Sequence, residues 1–453
     1  MGAVLIAEEV VSELRADLRG ALLRPGDAGY DPARALWNGM IDRRPGLIAR
    51  CAGVADVVRA VKLARTQGLP VAVRGGGHNA AGNALCDDGL VIDLSAMRGI
   101  RVDPAARTVR AQGGVTWGEF DRETQLFGLA TTGGAISTTG IAGLTLGGGL
   151  GYLMRSYGLA CDNLISADVV TADGEVLVAS PTEHPDLFWG LRGGGGNFGI
   201  VTSFEFRLHP VSTVLGGMLV HPAERARDVL RFYRDFTQSA PDALTVFAGL
   251  MSSPEGAPIV GLVACYNGPI ADGERALRPL REFGPPLADM IAPMPYVKQQ
   301  SMLDEAFPPG LQVYWRSDFL KSLSDDVLDT LIEHFGRVTS PLSAVLLEQF
   351  GGAVRRVPQE DTAFVHRDAD YNLAIISRWT DPAGADPHVA WARALHAAVR
   401  PFSRGVYVNY LGEEGQDRVR AAYGPTLYAR LAALKKKYDP TNFFRLNQNI
   451  QPA

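Results

Sequence analysis

Clusters of glycine constrain this chain more than any other feature of its sequence. Of its 453 residues 51 are glycine, and they concentrate at 75–82, 133–151 and 193–199. A residue without Cβ lets the backbone turn sharply and press against a flat ligand or a phosphate. Successive N–H groups in such turns form a concavity suited to anions. The clusters therefore predict loops that together wrap one large anionic cofactor, rather than low-complexity sequence.

The first cluster contains a histidine directly after its three consecutive glycines. A strand-like run over 69–73 leads into Arg74, three glycines and His78. An imidazole held beside an anion-binding turn is placed to act on the bound ligand. Taken alone, the segment is equally compatible with a glycine-rich turn followed by a surface histidine, so the rest of the chain must decide.

Composition and charge narrow the class of protein. The chain is 46% hydrophobic and 21% charged with a net charge of −5, values typical of a globular protein with a large core. Lysine and arginine are scattered, which argues against nucleic acid as a partner. The four cysteines form no CxxC and the histidines no metal-like spacing, so we expect neither a disulfide nor a metal site. Residues 1–9 read as the start of a helix rather than a signal peptide, which favours a cytoplasmic location.

Three segments resemble other classes of protein only formally. The uncharged stretch 126–154 is long enough for a membrane span, but its many Gly and Thr residues favour a buried ligand-lining segment. Residues 194–199 match GxGxxG, yet a helix-like stretch precedes them and a strand follows, whereas a dinucleotide site needs the opposite order. The loop 74–78 lacks the Lys-Ser/Thr ending of a P-loop.

The first half of the chain mixes strands with a few helices. Apolar residues at helical spacing predict a helix over 54–67, and alternation predicts strands at 108–112 and 200–208. Asp173-Gly174, between two apolar runs, predicts a hairpin. This pattern is typical of an α+β domain.

The sequence pattern changes from Leu215 onward. Strand-like runs at 259–266, 344–350 and 372–379 alternate with helical stretches and predict a second α+β domain with a large antiparallel sheet. The last fifty residues contain a strand-like run at 407–411 and a helix over 415–437.

Several different motifs follow one another from the first glycine cluster to the C-terminus. They are 71–82, 133–143, 147–152, 157–163, Tyr407-x-Asn409-Tyr410 and 437–450. Their sequences, order and spacing resemble the berberine-bridge-enzyme-like flavoproteins of the vanillyl-alcohol oxidase / p-cresol methylhydroxylase (PCMH) superfamily. The resemblance covers 45–215 and 400–450, with a looser match between.

The resemblance implies a fold and a cofactor. It implies a PCMH-type FAD-binding domain of two subdomains over 1–212, a substrate-binding domain over 213–400, and a C-terminal segment over 401–453 that returns to the FAD domain. His78 corresponds to the histidine that bonds covalently to the flavin 8α-methyl group. Where some members have a cysteine for a second link this chain has Ile136, so a single covalent attachment of FAD is expected.

The resemblance also assigns contacts to FAD. The glycine loops would hold the pyrophosphate and the isoalloxazine, and 199–201 would pass near the nucleotide part. Besides His78, the implied contacts are Arg74, Gly75, Gly76, Gly77, Asn79, Gly82, Thr138, Thr139, Gly140, Ile141, Gly143, Gly147, Gly148, Gly149, Tyr152, Gly199, Ile200, Val201, Tyr407, Asn409, Asn447 and Asn449. Ile141 takes the position that gates dioxygen in this family, and its intermediate size favours an oxidase while leaving a dehydrogenase open.

The proton chemistry is assigned to three side chains. Flavin oxidation needs hydride departure toward N5 and loss of a proton from a substrate OH or NH. Tyr410 matches the family's tyrosine base, with Tyr407 as a substrate or flavin contact; in a strand the two would face opposite sides unless a bend intervenes. Glu348, rather than Gln349 on the opposite face, is the predicted acid that tunes the tyrosine. The structural alternatives are two core tyrosines and a solvated strand carboxylate.

The sequence thus predicts an FAD-linked oxidase. Its expected substrate is an alcohol, an amine or an N-heterocyclic secondary metabolite, with dioxygen as acceptor and neither nucleic acid nor membrane as a partner. We expect a monomer or a homodimer. The alternatives are a flavin-dependent cyclase or rearrangement catalyst, an oligosaccharide oxidase, and a flavin-binding protein without turnover; the intact Tyr407, Asn409 and Tyr410 argue against the last.

Overall fold

The computed structural model describes residues 7–453. The first helix, α1, spans Glu8–Asp17. Residues 1–6, which the predicted N-terminal helix includes, lie outside the described part of the chain. Within 7–453 no helix combines the length and the apolar character that a membrane crossing requires.

A small four-stranded sheet carries the first glycine loop. Its strands are β1 (Ala21–Leu23), β2 (Leu47–Arg50), β3 (Val71–Arg74) and β4 (Leu90–Asp93), in the order β1-β2-β4-β3. β2, β4 and β3 run parallel and β1 is antiparallel to β2. The short helix α2 (Tyr30–Arg34) precedes β2, and the predicted helix, α3 (Val54–Gln67), connects β2 to β3.

A five-stranded antiparallel sheet forms the second subdomain. Its strands are β5 (Ile100–Asp103), β6 (Thr108–Gln112), β8 (Leu164–Val170), β9 (Val176–Ala179) and β10 (Ile200–Arg207), in the order β5-β6-β10-β8-β9. The β8–β9 hairpin turns at Gly174, whose φ of +77° suits glycine. A two-stranded ribbon joins β7 (Leu129–Ala130) to β11 (His209–Pro210). The helices are α4 (Trp117–Thr124), α5 (Ile141–Leu146), α6 (Met154–Tyr157) and α7 (Pro185–Leu191).

A nine-stranded antiparallel sheet dominates the rest. Its strands are β12 (Thr213–Pro222), β13 (Leu244–Ser252), β14 (Pro258–Tyr266), β15 (Ala288–Asp289), β16 (Ala292–Pro295), β17 (Gln312–Leu320), β18 (Ala344–Gln349), β19 (Tyr371–Trp379) and β20 (Ser403–Gly405). The order is β15-β12-β14-β13-β18-β19-β17-β20, with β16 also paired to β12. The helices are α8 (Ala226–Gln238), α9 (Ile270–Glu282), α10 (Tyr296–Gln300), α11 (Asp325–Phe335), α12 (Ala353–Arg356) and α13 (Ala385–Val399).

The two faces of this sheet have different neighbours. Leu347, Leu373 and Ile375 pack into one apolar core with residues of α8, α9, α11 and α13. The alternate residues, such as Leu346 and Ile376, pack into another cluster, which includes Trp37 of the FAD domain. The period of two along a strand therefore separates a helix-covered face from a face that looks toward the first domain.

The C-terminal segment packs against the first domain. Helix α14 spans Gln416–Tyr438 with a break at Gly424, where φ is +68° and Pro425 follows. Its second half packs against the core of the five-stranded sheet through Leu431 and Leu434. The predicted α+β architecture, with a two-part FAD domain and a large antiparallel sheet, is confirmed. The predicted strand over 407–411 is wrong, because 408–410 form a turn of 3₁₀ helix.

Candidate active site

An elongated cavity lies between the two domains and the C-terminal segment. Most of the predicted site residues line it. They are Gly75, Gly76, Gly77, His78, Asn79, Thr139, Gly140, Gly143, Gly199, Ile200, Val201, Glu348, Tyr407, Asn409, Tyr410 and Asn447. Residues that are up to several hundred positions apart therefore meet around one space.

Two glycine loops pack directly on each other at one end. A Cβ on Gly76 would lie 2.3 Å from the backbone nitrogen of Gly140, a distance that no side chain tolerates. Gly77 has a φ of +72° and turns the chain into His78. The glycines are therefore needed both for the turn after β3 and for the contact between the loops.

His78 is held by two contacts. Its Nε2 lies 3.2 Å from Oγ1 of Thr138, and its ring stacks on Trp37, with ring centroids 5.3 Å apart and planes inclined by 17°. Burial lowers the pKa of His78 to about 4, and a backbone hydrogen bond to Thr138 only partly opposes the shift. The imidazole is therefore neutral at pH 7 and retains a nitrogen lone pair.

The glycine-lined part of the cavity fits FAD. Cβ atoms built on Gly143 and Gly196, both on the cavity wall, would meet no protein atom within 4 Å, so these positions leave room for a ligand. Neither lysine nor arginine occurs among the described residues that line the cavity. A bound pyrophosphate would therefore be held by backbone N–H groups rather than by cationic side chains. Asn447 adds a buried Oδ1 that has no protein partner among the described residues.

Other predicted cofactor contacts lie off the cavity wall. The guanidinium of Arg74 donates to the carbonyl of Ala33, Gly82 closes a turn by donating to the carbonyl of Asn79, and Ile141 is buried in the core of the five-stranded sheet. The same holds for Thr138, Gly147, Gly148, Gly149, Tyr152 and Asn449, none of which lines the cavity.

The glycines at 147–149 instead leave room for the C-terminal segment to pack against them. A Cβ on Gly147 would lie 2.1 Å from Oδ1 of Asn409, and the N–H of Gly149 donates to the hydroxyl of Tyr407 across 2.9 Å. Nδ2 of Asn409 donates to the same hydroxyl across 2.8 Å. These glycines thus position the Tyr-x-Asn-Tyr motif over the cavity.

The two tyrosines of that motif lie on the same side. A 3₁₀ helix repeats every three residues, so positions i and i+3 overlap. The rings of Tyr407 and Tyr410 are 4.9 Å apart, edge to face. The expectation that they would face opposite sides applied to a strand and is replaced by this turn.

Glu348 reaches the cavity from strand β18. Its Oε1 accepts a hydrogen bond from the hydroxyl of Tyr410 across 3.0 Å, and its Oε2 accepts one from Nδ2 of Asn372. Gln349 points the other way, where it bonds the backbone of Val246 and Thr237. The alternation along β18 therefore selects the carboxylate for the cavity.

Glu348 and Tyr410 differ in the pH range over which they lose a proton. Burial raises the pKa of Glu348 to about 7, despite the opposing hydrogen bonds from Asn372 and Tyr410. Burial and the charge of Glu348 raise the pKa of Tyr410 well above its usual range. Near neutral pH Glu348 can therefore gain or lose a proton, while Tyr410 stays protonated and acts as a donor.

Part of the cavity wall is apolar, and the sequence analysis did not predict it. It is lined by Trp37, Leu303, Phe307, Trp315, Leu346 and Ile376. Leu346 lies two positions before Glu348, and Trp315 pairs with Ile376 across β17 and β19. Along their strands these residues alternate with residues of the helix-covered core, and that alternation could have predicted that they face the cavity. Trp37 and Phe307 lie in loops, where the sequence carried no such signal.

Comparison with known proteins shows which family this chain resembles. The family described as FAD binding domain matches residues 45–180, and the family described as berberine and berberine like matches 406–451. An FAD-linked oxidoreductase of Dictyostelium discoideum is 34% identical over 98% of both chains. (R)-6-hydroxynicotine oxidase of Paenarthrobacter nicotinovorans is 34% identical over 96% of this chain and 97% of its own.

A solved structure has the same fold over its whole length. It is the crystal structure of 6-hydroxy-D-nicotine oxidase from Arthrobacter nicotinovorans, which is 31% identical with a TM-score of 0.89. The alignment covers 96% of this chain and 98% of that one.

Proposed function

This chain belongs to the berberine-bridge-enzyme-like family of FAD-linked oxidoreductases, and we propose that it is an oxidase that attaches FAD through His78 alone. Its proposed substrate is a small alcohol, amine or N-heterocyclic compound. Dioxygen is the proposed final acceptor. Relatives named as FAD-linked oxidoreductases and oxidases support the reaction class.

The Glu348–Tyr410 pair carries the proposal. FAD, when bound, accepts the hydride at N5. The substrate must also lose a proton from its OH or NH, and Glu348 is the described cavity-lining group that titrates near neutral pH. Tyr410 donates to Glu348 and stabilises the carboxylate form. We therefore assign the base to Glu348 and hydrogen-bond donation to Tyr410, which reverses the order expected from the resemblance.

The apolar wall supports a substrate that is largely apolar. Trp37, Phe307 and Trp315 offer aromatic faces, and Leu346 and Ile376 offer aliphatic ones. Without a lysine or arginine among the described lining residues, a carboxylate or phosphate on the substrate would find no counter-charge. An oligosaccharide would leave its many hydroxyls without partners against such a wall. The observation favours the amine, alcohol or heterocycle over the carbohydrate alternative.

Dioxygen as acceptor rests on the relatives rather than on Ile141. The predicted gating side chain is fully buried in the core of the five-stranded sheet, while Ala142 and Gly143 line the cavity beside it. If a residue of this segment controls the access of dioxygen, these two are better placed than Ile141.

The test is a substrate panel with two readouts. The wild-type holoenzyme is mixed with apolar amines, aromatic alcohols, N-heterocycles and, for contrast, oligosaccharides. We expect aerobic hydrogen peroxide release and anaerobic bleaching of the visible flavin band with members of the first three classes. Glu348→Gln, with its flavin retained, should lose both signals. Turnover restricted to oligosaccharides, or bleaching without peroxide, would contradict the proposal.

A further inference from the structure

Two side chains contact the imidazole of His78 and take no part in the proposed proton transfer. Trp37 covers one face of its ring, and Thr138 meets its Nε2. Neither residue contributes to the Glu348–Tyr410 pair. We propose that Trp37 and Thr138 are positioning residues that hold the His78 imidazole in the orientation and tautomer required for flavin attachment. This inference rests on the proposed function, since it presupposes attachment through His78.

The position of Trp37 is set relative to His78 by the backbone. The N–H of Trp37 donates to the carbonyl of Gly77, the residue before His78, across 3.2 Å. The backbone of Trp37 is therefore tied to the turn that carries the imidazole. Stacking of the two rings favours one orientation of the imidazole.

The indole is also fixed from the substrate domain. Its Nε1 donates to the carbonyl of Phe307 across 3.0 Å, and the carbonyl of Trp37 accepts from the N–H of Gly310 across 2.9 Å. The neighbouring Asn38 exchanges hydrogen bonds with the backbone of Val313. Trp37 thus transmits the docking of the substrate domain to His78, so attachment is expected only once the two domains are together.

The contact with Thr138 bears on which nitrogen of His78 carries the proton. A neutral imidazole has one N–H and one lone pair, and a threonine hydroxyl either accepts from Nε2–H or donates to a bare Nε2. We assign Oγ1 of Thr138 the acceptor role, which leaves the lone pair on Nδ1. In this tautomer Nδ1 is the nucleophile, and the neutral state of His78 makes its lone pair available.

The attachment step is an oxidation. An imidazole nitrogen replaces one hydrogen of the 8α-methyl group, so an N–C bond forms while one N–H and one C–H bond break. Two protons and two electrons are released, and dioxygen accepts them as hydrogen peroxide. Such a reaction is sensitive to the placement of its nucleophile, because misplacement by about 1 Å costs on the order of 100-fold in rate.

The experiment measures covalent flavin rather than turnover. Wild type, Trp37→Leu, Trp37→Phe, Thr138→Val and Thr138→Ser are purified, incubated aerobically with excess FAD and sampled over time. Acid precipitation separates attached flavin in the pellet from free flavin in the supernatant. Gel filtration of the native proteins reports total bound FAD. Trp379→Phe, a change to a tryptophan that stacks on His388 and does not line the cavity, is the matched control.

We expect Trp37→Leu and Thr138→Val to attach FAD roughly tenfold more slowly or worse than wild type, while still binding it non-covalently. Trp37→Phe should be intermediate, and Thr138→Ser and Trp379→Phe should match wild type. If Trp37→Leu does not fold, Thr138→Val and Trp37→Phe carry the test. Wild-type attachment rates in Thr138→Val and in the Trp37 variants would overturn the inference while leaving His78 attachment intact. A wild type that releases its flavin on denaturation would instead overturn the proposed attachment, and this inference with it.

Discussion

The hydroxyl of Tyr410 lies 3.0 Å from Oε1 of Glu348, although the two residues are 62 positions apart. One comes from the C-terminal segment and the other from the central strand β18 of the substrate sheet. This hydrogen bond links the C-terminal segment to the substrate sheet across the cavity. It places the carboxyl of Glu348 next to the hydroxyl of Tyr410, which stays protonated and donates. A change to either partner should therefore alter how the reaction depends on pH.

Glu348→Gln should remove the proton acceptor. We expect kcat to fall by about 10²–10⁴-fold, the usual range for general acid–base catalysis. Because the pKa of Glu348 is about 7, wild-type activity should rise with pH through that value as the carboxylate forms. The measurement is a pH profile of anaerobic flavin reduction. A Glu348→Gln variant with a wild-type rate and the same acid limb would show that another group takes the proton.

Tyr410→Phe should move the acid limb to higher pH. The hydroxyl stabilises the ionised form of Glu348, so its loss leaves a buried carboxylate with one donor fewer and raises the pKa further. The same pH profile checks the direction. Tyr407→Phe is the control, because that hydroxyl bonds Gly149 and Asn409 instead. The acid limb of the Tyr407→Phe profile should stay at the wild-type pH, whatever the rate of that variant. A shift of the acid limb toward lower pH in Tyr410→Phe would refute the assignment.

Glu348 should also make stability depend on pH. Its folded pKa of about 7 exceeds the ordinary 4.5, so folding favours the protonated form. The stabilisation is complete below about pH 4.5 and is lost as pH rises through 7, a change of about 3 kcal/mol. Relative to wild type, the free energy of unfolding of Glu348→Gln should therefore increase by that amount between pH 4.5 and 8.

Urea denaturation across that pH range measures the difference. Glu413→Gln is the control, because its side chain is 76% exposed and its stability relative to wild type should stay flat. A flat difference for Glu348→Gln as well would mean that the carboxyl ionises without penalty.

Lys435→Met should destabilise the C-terminal closure. Nζ of Lys435 is fully buried and donates to Asp439, to the carbonyl of Asn197 and to the carbonyl of Phe444. Its removal leaves the Asp439 carboxylate buried without its partner, which costs about 3–5 kcal/mol. FAD affinity should fall too, since Asn197 and Phe444 line the cavity.

Lys437→Met is the matched comparison for that variant. Its side chain is 59% exposed and pairs with Asp186 at the surface, so its loss should cost under about 1 kcal/mol. Urea denaturation and FAD titration of both variants decide the matter. Equal effects of the two substitutions would mean that burial of the Lys435 pair is unimportant.

Ile136→Cys should create a second attachment point. Ile136 lines the cavity, and the resemblance places a linking cysteine at this position in other members. In His78→Ala the flavin should leave on denaturation, and in the His78→Ala, Ile136→Cys double variant it should remain bound as a thioether. Mass spectrometry of the denatured protein detects the link. Cys161→Ser, a change to a fully buried thiol, should leave wild-type attachment unchanged; a double variant that releases all of its flavin would refute the alignment at this position.

Local signals predicted much of the fold correctly. Periodicity located α3, β6 and β10 to within a residue or two, and Asp173-Gly174 marked the β8–β9 hairpin, because these features depend on neighbouring residues. The run at 407–411 is not a strand. The chain turns there in a 3₁₀ helix and brings Tyr407 and Tyr410 together over the cavity, and no local pattern marks that turn.

Local sequence patterns and ordered motifs were enough to predict the cofactor loops and the candidate reactive residues. Glycines with positive φ or with close backbone neighbours can be recognised locally, and ordered motifs carry the family resemblance across the chain. Which of these residues accepts a proton and which donates a hydrogen bond depends on the tertiary structure. The apolar wall assembles from distant loops and strands, and Trp37 reaches His78 only through the packed fold. The proposed exchange of roles between Glu348 and Tyr410 has the same origin, because the energy of ionising a carboxyl depends on its burial and partners, which no linear pattern encodes.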